Sequence, residues 1–105
     1  MVIVETTIFT QRIQGLLTDE EYRLFQLHLV NNPDAGKTIP GSGGLRKLRW
    51  SAGGHGKRGG IRVIYYWLSS RDTALLLYAY PKSKQDDLTA EQLRQIKKIV
   101  EKEYL

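Results

Sequence analysis

Lys47 and Arg49 lie two residues apart in Leu45–Trp50, a segment that alternates as a strand does. They therefore project side by side from one face, with Leu48 and Trp50 on the other. Two cations so placed can bridge neighbouring phosphates, or can simply form an exposed strand face. Arg62 comes second in Ile61–Leu68, a segment otherwise apolar. An arginine there is costly to bury without a partner or a task, and an ion pair is the structural alternative. It should share a face with Ile64 and Tyr66. Between these strands, residues 51 to 60 read Ser-Ala-Gly-Gly-His-Gly-Lys-Arg-Gly-Gly. Glycines leave backbone amides approachable, and Lys57 and Arg58 add charge, so this is a candidate phosphate-gripping loop. An exposed surface loop is the plainer account. It is not a nucleotide P-loop, because its glycine-to-lysine spacing is wrong and no helix follows. Lys82 and Lys84 follow Pro81 at the exit of a third strand, where sites are often lined and exposed turns are equally common.

Other chemistries find few candidates. The sequence has no cysteine, which removes disulfides, a thiol nucleophile and any cysteine-ligated zinc. Of the two histidines, His28 sits near a helix C-terminus, where the dipole favours a structural imidazolium. His55 lies in the glycine-rich loop and is a minor candidate able to titrate near neutrality. No third ligand joins them, so no metal is expected, and no cofactor either. Neither a Ser-His-Asp set nor a carboxylate pair is visible.

The formal net charge of +5 is unevenly placed. No acidic residue stands between Asp34 and Asp72, where Lys37, Arg46, Lys47, Arg49, Lys57, Arg58, Arg62 and Arg71 occur. Cations segregated in this way are the footprint of a polyanion.

The elements that must hold these residues are legible. Val2–Phe9 reads as a strand, and a short helix over Thr10–Leu16 is expected. Thr18 and Glu21 form a capping box with Leu17 and Tyr22 as its staple, so a helix should run from Asp19 to about Val30. Its buried stripe is expected at Tyr22, Phe25 and Leu29, broadened by Leu24, Leu27 and Val30. The segments Ile61–Leu68 and Thr73–Tyr80 are apolar at nearly every position and should be central strands joined by a tight turn. Thr89 and Gln92 form a second capping box, stapled by Leu88 and Leu93, and Leu93, Ile96 and Val100 mark the buried stripe of a last helix. The 105 residues make one domain, with no repeat and no apolar run that spans a membrane. A cytoplasmic location is the default expectation. The expected class is α+β: a twisted antiparallel sheet of about four strands, with the N-terminal and C-terminal helices on one side.

The run from Gly43 to Trp50, the run from Gly56 to Tyr66, Tyr80, Lys82 and the helix start Asp87-Leu88-Thr89 together resemble the HigB branch of the RelE-like toxins. The resemblance implies a RelE-type fold, ribosome-dependent cleavage of mRNA, and a cognate antitoxin, often one with a helix-turn-helix domain. It implies that Arg62 acts on the scissile phosphate and that Lys47 matches an active-site lysine. Lys57, Lys82 and Lys84 complete the candidate catalytic cations, and Arg46, Arg49, Arg58 and His55 the candidate RNA contacts. Where RelE has a tyrosine near the start of its final helix, this chain has Thr89, which the helix cap needs. The gyrase-directed ParE type shares the fold, so the alternative is a non-catalytic binder, such as a gyrase-directed toxin or an RNA-binding module.

Overall fold

The computed structural model describes residues 1–51 and 60–104. The elements are β1 (Val2–Glu5), α1 (Thr7–Leu16), α2 (Asp19–Asn31), β2 (Lys37–Thr38), β3 (Arg46–Trp50), β4 (Ile61–Leu68), β5 (Thr73–Pro81) and α3 (Ala90–Glu103). They form one five-stranded sheet in the order β1-β5-β4-β3-β2. The β3-β4-β5 meander is antiparallel, as its short connections require. A 3-10 turn, Ser69–Arg71, with Asp72 in the left-handed conformation at φ 47°, joins β4 to β5.

The α+β class holds, and three details differ from the sequence-based expectation. First, β1 is parallel to β5 at the sheet edge, and the two-residue β2 adds a fifth strand. Second, β1 ends at Glu5, because Thr6 caps α1: its hydroxyl accepts from the Phe9 amide at 3.1 Å. Third, the helices cover both faces. Phe9, Ile13, Phe25 and Leu29 of α1 and α2 pack on Leu48, Val63, Tyr65 and Leu76. Ile96 and Val100 of α3 pack on Ile64, Leu75 and Leu77, on the opposite face. Strands apolar on both sides need cover on both sides. On α2, Leu24, Leu27 and Val30 do not broaden the buried stripe. Spaced three apart, they run along the far side of the helix and are nearly half exposed.

Both capping boxes form as expected, at Thr18/Glu21 and Thr89/Gln92. Within the sheet, the register slips between β4 and β5. Ile64 faces Tyr78 and Tyr65 faces Leu76, so Leu77 is the extra residue of a β-bulge. The Thr6 hydroxyl donates to the Leu77 carbonyl at 3.1 Å. The bulge makes Leu77 and Tyr78 share the α3 face, and carries Tyr80 there too. Without it, alternation would turn both tyrosines toward α1 and α2.

Candidate nucleic-acid interface

The face partly covered by α3 gathers the cations. Arg49 stands directly opposite Arg62, and Arg62 directly opposite Tyr80, making one row across β3, β4 and β5. The next row is Lys47, Ile64 and Tyr78. Like charges facing each other across a ladder destabilise a sheet. Arg62 is moreover only 4% exposed, with its guanidinium donating to the Ile61 carbonyl at 3.2 Å. This placement concentrates positive charge in a partly desolvated spot, which suits an anion.

An anion from the chain itself is already present. Asp87, in the segment leading to α3, forms an ion pair with Lys47. The hydrogen bond and charge of Lys47, helped by Arg49 and Arg62, hold the Asp87 carboxyl below the usual carboxylate range. Beside this pair, a cleft of about 530 Å³ opens between β3, the loop after α2 and the start of α3. Lys37, Lys47, Arg49, Asp87 and Leu93 are among its lining residues. That volume is in the range that accommodates a nucleotide-sized ligand.

Tyr80 completes the row on β5. Its side chain is 1% exposed, and among the described residues its hydroxyl is the one buried side-chain polar atom without a hydrogen-bond partner. Burial pushes the phenol up; Asp87 adds to this and Arg62 opposes it. By contrast, the neighbouring Tyr78 hydroxyl accepts from Gln92 at 3.3 Å, and the Tyr78 ring lies 4.7 Å under the Arg12 guanidinium.

The other candidate residues divide. Lys82 and Lys84 are exposed in the turn leaving β5, and the Lys82 amide donates to the Gly60 carbonyl at 3.1 Å, so Lys82 sits at the end of β4 that carries Arg62. Arg46 faces the other way. Its guanidinium donates to the carbonyls of Asp34 at 3.3 Å and Gly36 at 2.8 Å, pinning the loop after α2. The structure therefore does not bring Arg46 to the cationic face. His55, Lys57 and Arg58 lie outside the described residues. His28 packs its ring 5.4 Å from that of Trp50 and takes no part in this face. Asp87 and Tyr80 join this face although the sequence assigns neither of them a role there. Asp87 stood only as part of a helix start, and the face of Tyr80 depends on the bulge. Among the described residues, no group of acidic or histidine side chains is arranged to hold a metal ion, and no helix is long and apolar enough to cross a membrane.

A family model described as the RelE toxin of the RelE/RelB toxin–antitoxin system matches residues 31–104, from the end of α2 through α3. The solved structure of an arginine-to-alanine double mutant of E. coli toxin RelE in the free state is similar to this chain, with a TM-score of 0.63 at 11% identity. The match covers 90% of this chain and 96% of that one, and shows a shared fold. The residues 31–104 hold β3, β4, β5 and α3, the elements that build the cationic face. The chain belongs to the RelE toxin family, the toxin half of a toxin–antitoxin system.

Proposed function

We propose that this chain is a ribosome-dependent endoribonuclease that halts translation by cutting mRNA. The observation that carries the reading is the row Arg49–Arg62–Tyr80 beside Lys47, cations crowded on one sheet face at the edge of a nucleotide-sized cleft. In the reaction, an RNA 2′-hydroxyl attacks the adjacent phosphorus. The P–O5′ bond breaks, leaving a 2′,3′-cyclic phosphate on one fragment and a 5′-hydroxyl on the other. The protein's task is to hold the nucleotide in line and stabilise the charge that grows on the phosphoryl oxygens. Arg62 does this from its buried position, and Lys47 and Arg49 grip flanking oxygens. Lys82 and Lys84, with Lys57, Arg58 and His55 of the glycine-rich loop, extend the grip along the strand. Thr89 is committed to capping α3, through its bond from the Gln92 amide. The ribosome supplies much of the alignment that an acid–base pair would otherwise have to complete. In the resting cell, a cognate antitoxin, one with a helix-turn-helix domain on this reading, covers or distorts the cationic face in the cytoplasm.

Induction of the chain without its antitoxin tests the reading. Translation should stop before DNA replication, and mapped RNA ends should fall within translated frames. DNA-damage signalling that appears first, over intact mRNA, would replace this reading with a gyrase-directed one.

A further inference from the structure

We infer that the Asp87 carboxylate occupies the place of an RNA phosphodiester, so that the free protein rests closed on an internal anion held by Lys47, with Tyr80 waiting on β5 for the group that displaces it. The inference rests on reading this face as a phosphate site, and goes further by naming what fills that site at rest.

Three observations converge. Asp87 is the partner of Lys47 although 40 residues separate them, and its own side chain is 70% exposed. An exposed ion pair is worth little to the fold, so this one can open at small cost. The same carboxylate lies within electrostatic reach of Arg49 and Arg62, the cations a phosphate would use. Finally, the Tyr80 hydroxyl, next in row to Arg62, is buried and has no hydrogen-bond partner among the described residues. A buried donor left unmade is disfavoured in a resting fold, and is accounted for if a ligand later accepts from it. A phosphodiester provides more acceptor oxygens than one carboxylate and can serve Lys47, Arg62 and Tyr80 together. An internal anion also lowers affinity for RNA in general. Only RNA presented at high local concentration, as on the ribosome, then displaces it readily.

The test is the affinity of the full-length protein for an uncleavable, fully 2′-O-methylated oligoribonucleotide, with melting temperatures measured alongside. Asp87→Asn should tighten binding about fivefold to tenfold, the scale of one close charge pair at a wet surface. Asp86→Asn makes the same change in net charge next door, where no ion pair forms among the described residues, and should tighten binding less than about twofold. Tyr80→Phe should weaken binding severalfold without lowering the melting temperature, since its hydroxyl makes no hydrogen bond among the described residues of the free protein. Equal effects of Asp87→Asn and Asp86→Asn, or no effect of Asp87→Asn, would overturn the inference. So would a Tyr80→Phe protein that melts lower yet binds as the wild type does. Because nothing is cleaved in this assay, a chain that behaves as expected here but never cuts mRNA would sink the nuclease reading and leave this inference standing.

Discussion

Arg62 is buried in a strand of apolar residues and faces a second arginine directly across the ladder. Two facing arginines cost the sheet a charge repulsion that a hydrophobic pair would not. On the reading proposed above, a bound phosphate offsets that cost, since Arg49 and Arg62 face each other on the sheet face that also carries Lys47. The same geometry separates their roles. Lys47 and Arg49 line the open cleft, so they should dominate encounter with RNA, which depends on released counterions. Replacing both, as Lys47→Ala with Arg49→Ala, should flatten the salt dependence of ribosome binding by about two ionic contacts. Affinity measured across a salt series checks this. An unchanged slope would remove both residues from the binding face.

Each part of this face depends on an element held by few residues. Entry into β4 is set by Gly60 at φ +65°, where an added Cβ would lie 2.1 Å from the Trp50 carbonyl oxygen. Gly60→Ala should therefore cost on the order of 2–3 kcal/mol and disturb the β3–β4 ladder that pairs Arg49 with Arg62. Denaturant unfolding measures the loss. A Gly60→Ala protein as stable as the wild type would show that this backbone conformation is not needed. At the other side of the site, Thr89→Ala should cost about 1 kcal/mol by removing the α3 cap. It should also loosen the segment that carries Asp87, which chemical-shift changes at residues 86–92 would report. Most of these elements were legible beforehand. The capping boxes are local patterns, the meander follows from short connections, and Lys47 and Arg49 share a face by simple alternation. What was not legible is non-local. The direction of β1 depends on pairing with a strand some 70 residues away. The bulge that turns Tyr80 into the site is a register choice, and alternation read through Leu75 and Leu77 points Tyr80 the wrong way. The cover on both faces was implicit in the unbroken apolar runs of β4 and β5, which leave no face for water.

Across the whole molecule, the two faces of the sheet have different tasks. Under α1 and α2, Tyr22 donates to Glu5 at 2.5 Å, and Tyr65 ties the loop after α2 to the sheet through Pro33 and Gly36. That side is a scaffold. The α3 side holds the cations and is only partly covered. Buried and half-buried phenols on both sides give the fold a predictable alkaline limit. Burial pushes up Tyr22, aided by its bond to Glu5, and likewise Tyr65 and Tyr80. A pKa raised in the fold means that the unfolded chain releases these protons first. Their contribution is therefore complete below about pH 10, the ordinary tyrosine value, and is lost as pH rises above it. Melting temperature should fall above that pH, less steeply in Tyr22→Phe. An identical alkaline decline in that variant would remove Tyr22 from the account.

On the proposed reading, cations on one sheet face stabilise the phosphate at which mRNA is cut. Single-turnover cleavage on programmed ribosomes tests it most directly, comparing the wild type with Arg62→Ala and Arg62→Lys, with ribosome binding and melting temperature measured in parallel. The folded Arg62→Ala protein should bind nearly as well but cut about a hundredfold to a thousandfold more slowly, the usual cost of losing one electrostatic donor in a transition state. Arg62→Lys should recover only part of the rate, because a point charge cannot reproduce a planar fork. Near-wild-type cleavage by a folded Arg62→Ala protein would contradict it.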